Sequence, residues 1–283
     1  MFADRPDAAP REAGLQIIAI ANQKGGVGKT TTAINLATGL AATGKRVCVL
    51  DLDPQGNAST GLGIGMELRE VTSYDVLAGQ SSAKAAMVPT RIPGLWVIPA
   101  SVDLSGAEIE LVDAEKREYL LHGALRNRLD AIDYVLIDCP PGLGLLSLNA
   151  LVAADAVLVP LQCEFLALEG LSHLIKTIER IRRALNPKLK LMGVVLTMFD
   201  QRNILSKSVA SDVRAYFGEV VYDTIIPRNV RVSEAPSHGL PVLLYDHRST
   251  GAQAYIRLAR EILRRERSDA VDRKPEEEME ALG

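Results

Sequence analysis

The sequence predicts an α/β fold: a doubly wound, mostly parallel sheet with helices on both faces. Three observations predict it. Short apolar, β-branched runs recur along the chain, and helical patterns separate most of them. The runs are continuously apolar, as strands buried on both faces must be. A glycine-rich segment directly follows the first run, where a strand would turn into a helix.

The expected strands are "LQIIAIA" (15–21), "RVCVLDLD" (46–53), "LWVIPA" (95–100), "YVLIDCP" (134–140), "AVLVPLQ" (156–162), "KLMGVVLTMF" (190–199) and "TIIP" (224–227). No repeat and no internal linker interrupts them, so 15–267 is expected to form a single domain. Residues 1–14 are expected to be a disordered tail. The stretch 268–283, ending in "RKPEEEMEALG", is acidic and lacks a strong apolar face, and is expected to be a second disordered tail. Ligands in such sheets sit at the carboxyl ends of the strands, so the segments that follow them are where chemistry should collect.

The composition narrows the function classes. The chain has 283 residues, 47% hydrophobic and 24% charged, enough to bury a sizeable core. A net charge of -3 gives no global basic field, so nucleic-acid binding would need a local patch. Only 4% of residues are aromatic, which disfavours base stacking and single-strand recognition. Cys48, Cys139 and Cys163 stand alone in apolar sequence, without metal-ligand spacing or a disulfide framework, which suits a reducing cytoplasm. His122, His173, His238 and His247 form no cluster, so no metal beyond Mg²⁺ is expected. No apolar run reaches the roughly 20 residues that span a bilayer.

The segment from Gln23 to Thr30 meets the template G-x-x-x-x-G-K-[ST], with Gln23 replacing the first glycine. The backbone of Gly25, Gly26, Val27 and Gly28 would converge on phosphate oxygens. Lys29 would reach the β and γ phosphates, the Thr30 hydroxyl would ligate Mg²⁺, and Thr31 would complete the cradle. The loop also carries an extra lysine, Lys24, which the template does not require. Two strand ends carry carboxylates. Asp51 and Asp53 in "VLDLD" point to opposite sides of the pleat, and alternation alone does not choose between them. Asp138 in "YVLIDCPP" would be costly at a buried strand end without a partner such as Mg²⁺.

"KGGVGKTT", with its extra Lys24, resembles the deviant Walker A motif of the ParA/MinD family of ATPases. "DLDPQGN" and "DCPPGLGLLSLNAL" resemble that family's next two motifs, and "IPRNVRVSEAPSHG" resembles its ParA/Soj branch. The resemblance covers about 15 to 265 and implies a P-loop NTPase fold that binds ATP and Mg²⁺. It implies a weak ATP hydrolase whose two monomers sandwich two nucleotides, with Lys24 crossing to the partner's phosphates. It selects Asp53 as the residue that positions or deprotonates the attacking water, and places Pro227 and Asn229 at the adenine edge. Asn229 could equally cap the helix that follows. Position 142 holds glycine where the family motif commonly has serine, so no hydroxyl role carries over there.

The resemblance also places Arg202 and Arg231 on DNA-binding positions. Periodicity adds a basic stripe in "AQAYIRLAREILRRER". There Arg257, Arg260, Arg264 and Arg267 recur on one face, and Ala252, Ile256, Ala259 and Leu263 on another. Glu261 and Glu266 interleave with the stripe. The reading that follows is a cytoplasmic, nucleoid-associated DNA-segregation ATPase. It would bind double-stranded DNA without sequence preference, and a ParB-like (Spo0J-like) centromere-binding partner would stimulate it. The alternative is a MinD-like membrane-cycling ATPase, against which the acidic chain end argues, since anionic lipid would repel it. Only about fourteen residues precede the first strand, so no helix-turn-helix and no operator-specific repression are expected.

Overall fold

The computed structural model describes residues 14–126, 129 and 131–280, the side chains of Glu108 and of 269–280 excepted. Seven strands form one sheet: β1 (Gln16–Ile20), β2 (Val47–Asp51), β3 (Val88–Pro89), β4 (Leu95–Ile98), β5 (Tyr134–Asp138), β6 (Ala156–Gln162) and β7 (Lys190–Thr197). Their order is β3-β4-β2-β5-β1-β6-β7, and every neighbouring pair is parallel except β3 with β4.

Side chains alternate across the sheet. Ile17 and Ala19 of β1 join one apolar cluster while Ile18 and Ile20 join the other, and all four are fully buried. Helices Leu145–Ala153, Ala167–Ala184 and Ile204–Phe217 cover the first face. Helices Lys29–Ala41 and Thr250–Glu280 cover the second and pack directly on each other. Gly39 permits that contact, because a Cβ there would stand 3.0 Å from the Ala259 Cβ. The buried Thr32 and Tyr255 hydroxyls lie 3.3 Å apart across the same interface.

The register levels the carboxyl ends of the central strands. Asp138 is paired with Ile20 of β1 and with Asp51 of β2, so the segments leaving β1, β2 and β5 emerge side by side.

Four expectations need correction. "TIIP" is not a strand of the sheet: it runs beside β7, with single bridges at Val194–Val221 and Phe199–Pro227. Its backbone bonds, such as Ile226 N–H to the Leu196 carbonyl (2.8 Å), are too sparse for a ladder. Strand β3 was not expected, because two residues with a proline at an antiparallel edge leave no periodic trace. The C-terminal helix buries Ala252, Tyr255, Leu258, Ala259 and Ile262, while Ile256 and Leu263 are only half-buried, so its core face is rotated from the expected one. That helix also continues to Glu280 through a segment expected to be a tail. A missing apolar face removes docking to the core, but Ala, Glu, Arg, Lys and Met still favour local helix. Of the expected N-terminal tail, residues 1–13 lie outside the described residues.

Candidate functional site

The loop after β1 is shaped by two glycines in the left-handed region, Gly26 (φ 76°) and Gly28 (φ 91°), where a side chain would be strained. Three neighbouring strand ends brace it. The Asn22 amide donates to the Pro160 carbonyl (2.8 Å), Gly142 N–H to the Gln23 carbonyl (3.1 Å), and the Thr197 hydroxyl to the Val27 carbonyl (2.8 Å). Helix Lys29–Ala41 then begins directly beneath the loop, so its first N–H groups face the space the loop encloses.

Lys29 is buried, and its ammonium donates to the Lys24 carbonyl (2.9 Å), spanning the loop. Burial lowers its pKa, and the charges of Asp138, Cys139 and Asp53 act in the opposite direction. A buried cation whose ligand is one carbonyl is prepared to exchange it for phosphate oxygens.

Asp138 is fully buried, and neither carboxylate oxygen has a hydrogen-bond partner. Burial pushes its pKa well above the usual carboxylate range, and Asp51 and Asp53 raise it further. The Thr30 hydroxyl and Lys29 oppose this, Thr30 without reaching hydrogen-bond geometry. An orphaned carboxylate beside Thr30 is the donor set a magnesium ion bound mainly through water and phosphate would use, so these residues fit Mg²⁺. Among the described residues no group of three His, Cys, Asp or Glu could hold a metal by itself.

Asp51 is differently placed. Its Oδ2 accepts from Ser59 N–H (2.8 Å) and the Ser59 hydroxyl (2.7 Å), and its Oδ1 from Asp53 N–H (3.2 Å). Burial still pushes its pKa up to about 6. Asp51 is therefore a brace for the loop that carries Asp53, and Asp53 is the carboxylate left at the opening. The Asp53 Oδ1 accepts from Gln55 N–H (3.0 Å), which orients it. The structure thus separates two carboxylates that strand alternation had left equivalent.

The orphaned Asp138 makes a stability prediction. A raised folded-state pKa means that the folded chain binds the proton more tightly than the unfolded one. The resulting instability is absent below the usual carboxylate range and grows as pH rises through it. Asp138→Asn is expected to raise the Tm of nucleotide-free protein at about pH 8 by a few degrees, roughly 1 kcal/mol, with the gain vanishing near pH 4. Calorimetry at both pH values checks this, and a Tm lowered at both would refute it.

Lys24 is exposed and forms an ion pair with Glu164 of the same chain, which sequence reading did not foresee. Its N–H donates to the Asn22 side chain (3.1 Å). Asn229 caps helix Val230–Glu234, accepting from Val232 N–H (3.3 Å), and its amide donates to the Thr250 hydroxyl (2.9 Å). Pro227 is bridged to Phe199.

The arginines gather at this end of the molecule and along the C-terminal helix. Phe199 N–H donates to the Ile226 carbonyl (3.1 Å) and Arg228 N–H to the Phe199 carbonyl (3.0 Å), which sets the loops of Arg202 and Arg231 side by side. Arg228, which makes the second of these bonds, is itself exposed and was missed by sequence reading, although its place in "IPRNVR" was visible. Arg202 forks onto Asp200 (3.2 Å to each oxygen), and Arg231 pairs with Glu234 (2.9 Å) and Asp246 (3.6 Å). Arg257, Arg260 and Arg264 are exposed. The interleaving acids turn away from them. Glu261 is buried, accepting from the N–H groups of Asp223 and Thr224 and pairing with Arg265, while Glu266 accepts from the Tyr134 hydroxyl (2.6 Å).

Comparison with known proteins decides the family. A model described as an AAA domain matches residues 15–191. The chromosome partitioning protein ParA of Caulobacter vibrioides is 62% identical over 259 residues, covering 89% of this chain and 96% of that protein. The chain belongs to the ParA/Soj family of chromosome-partitioning ATPases. The sporulation initiation inhibitor protein Soj of Bacillus subtilis is 52% identical over 247 residues, covering 87% of this ParA/Soj chain and 98% of that protein. Among solved structures, cobyrinic acid a,c-diamide synthase from Mycobacterium smegmatis, with bound ATP analogue and magnesium, is 40% identical with a TM-score of 0.78. The match covers 90% of this chain and 97% of that one. The cell division ATPase MinD of Pyrococcus furiosus is 30% identical, with a TM-score of 0.73 and coverage of 88% and 98%. The fold is the P-loop NTPase fold expected from the sequence.

Proposed function

We propose that this chain is a DNA-segregation ATPase whose nucleotide state sets its oligomeric state. ATP binding drives a sandwich homodimer that binds double-stranded DNA without reading sequence. Hydrolysis, weak alone and stimulated by a ParB-like (Spo0J-like) centromere-binding protein, releases it. Its expected place is the cytoplasm, on the nucleoid, without membrane attachment. The observation that carries the ATPase reading is the meeting of Lys29, Thr30 and the orphaned Asp138 at one strand end, with Asp53 beside them.

Gly25 to Gly28 receive the phosphates, Lys29 leaves the Lys24 carbonyl for the β and γ phosphates, and Thr31 supports the cradle. Pro227 and Asn229 border the adenine. Thr30 and Asp138 hold Mg²⁺, which supplies charge neutralisation to the phosphates. Asp53 orients a water and takes its proton as the water oxygen bonds to the γ phosphorus. The bond to the bridging oxygen breaks, leaving ADP and inorganic phosphate. Lys24 leaves Glu164 for the phosphates of the partner's nucleotide. An exposed pair of this kind contributes only about 0–1 kcal/mol, so a triphosphate displaces it readily.

Arg202, Arg231 and the exposed Arg257, Arg260 and Arg264 form the DNA surface. Their acidic partners on the protein act as stand-ins that phosphates replace. Each phosphate contact contributes about -0.9 to the slope of log affinity against log salt, so Arg231→Ala should flatten the slope of a dimer by about 1.8. Binding of random-sequence duplex in ATP, in ADP and without nucleotide, across a salt series, tests the reading. Equal binding in all three states would refute it, and ATP-dependent binding to anionic vesicles instead would establish the MinD-like alternative.

A further inference from the structure

The loop between β2 and the edge strands is tied down by one side chain. Half-buried Arg69 donates from Nη2 to the Thr60 hydroxyl (2.8 Å), the Ile64 carbonyl (2.9 Å) and the Gly56 carbonyl (3.3 Å). Its Nε reaches the Ile64 carbonyl (3.2 Å), and its Nη1 reaches the Ala100 carbonyl just beyond β4 (3.3 Å). The guanidinium therefore binds the carboxyl-end loops of two adjacent strands to each other. A planar fork with five N–H donors can do this, whereas an ammonium cannot reach so many fixed carbonyls at once.

One of those carbonyls, that of Gly56, belongs to the turn that carries Asp53. Gly56 N–H donates to the Asp53 carbonyl (2.8 Å), closing a turn that requires Gly56 at φ 63°. The Gly56 carbonyl then accepts from Thr60 N–H (3.0 Å) and the Thr60 hydroxyl (3.0 Å), beginning helix Asn57–Gly61. Ser59 of that helix holds Asp51, and Asp51 accepts from Asp53 N–H. A Cβ at Gly56 would overlap the Arg69 guanidinium, so the turn and the arginine are fitted to each other. The Asp53 carbonyl is thus bonded to Gly56, which Arg69 holds directly, and the Asp53 N–H leads through Asp51 and the Ser59 hydroxyl to Ala100 N–H (3.1 Å), whose carbonyl Arg69 also holds.

We propose that Arg69 is a positioning residue for hydrolysis: it fixes the Asp53–Gly56 turn so that the Asp53 carboxylate meets the attacking water. This rests on the reading of Asp53 given above. The Arg69 guanidinium is engaged with the protein's own carbonyls and the Thr60 hydroxyl, so its effect should fall on turnover and not on ATP affinity.

Radiolabelled phosphate release and fluorescent-nucleotide affinity, measured on Arg69→Ala, Arg69→Lys, Asp53→Asn and the Asp53→Asn/Arg69→Ala pair, test it. A misplaced catalytic group costs up to about 100-fold, so Arg69→Ala is expected to lower kcat by about 10–100-fold. ATP affinity should stay within about twofold, and Arg69→Lys should fall between the two. The double variant should be no slower than Asp53→Asn alone, since Arg69 acts only through Asp53. Unchanged kcat in both Arg69 variants, or a loss that adds in full to that of Asp53→Asn, would overturn the proposal. Native turnover in Asp53→Asn would overturn the reading of Asp53 and the Arg69 role with it. If Arg69→Ala does not fold, Arg69→Lys in both backgrounds decides the same question.

Discussion

Asp53→Asn is expected to bind ATP as tightly as the native chain and to hydrolyse it about 10²–10⁴ times more slowly. The substitution keeps the acceptor that Gln55 N–H uses and leaves the bonds around Asp51 intact, so the loop should hold its shape. What disappears is the charge that orients water and accepts its proton. Such a chain should remain an ATP-bound dimer on DNA, because release depends on hydrolysis. Phosphate release, nucleotide affinity and DNA dissociation rate together check the expectation. Native turnover in the variant would show that another group activates the water.

Lys24→Ala is expected to abolish the ATP-dependent dimer while preserving nucleotide binding. The contacts Lys24 makes inside the loop are through its backbone, to Asn22 and to the Lys29 ammonium, and alanine retains both. Among the described residues its side chain pairs with Glu164 alone, so removal leaves no buried group unpaired. A cation supplied in trans to a transferring phosphate is worth about 10³–10⁵ in rate, so stimulated hydrolysis should fall by at least about a thousandfold. DNA binding should disappear with the dimer. Sedimentation in ATP and turnover with the partner protein measure these effects, and a variant that dimerises and hydrolyses as the native chain does would remove Lys24 from the mechanism.

The six long strands and the phosphate loop were legible because their signals are local. A buried parallel strand must be apolar on both faces, and a loop that closes on phosphates must place glycine where φ is positive, as Gly26 and Gly28 do. Lys29, Thr30, Asp53 and Asp138 follow from spacing and resemblance. The pairing of "TIIP", the two-residue β3 and the rotation of the C-terminal helix were not legible. Each depends on what packs against the segment, and periodicity shifts by one position at little cost in pattern.

By itself, then, the sequence determined the fold class, the loop and the candidate chemistry, since these rest on backbone constraints and residue types within a few positions. Only the tertiary structure distinguished the surroundings of the carboxylates. Asp51 is satisfied by Ser59, eight residues away, and Asp138 by nothing, a difference set by neighbours rather than by the strands that carry them. It also decided that Glu261 and Glu266 turn inward, away from the arginine stripe, that Lys24 rests on Glu164, and that Arg69 ties the loops after β2 and β4 together. Hydrogen bonds and ion pairs join residues by distance in space, and these partners, from 8 to 140 positions apart, have no register in the chain that a reader of the sequence could follow.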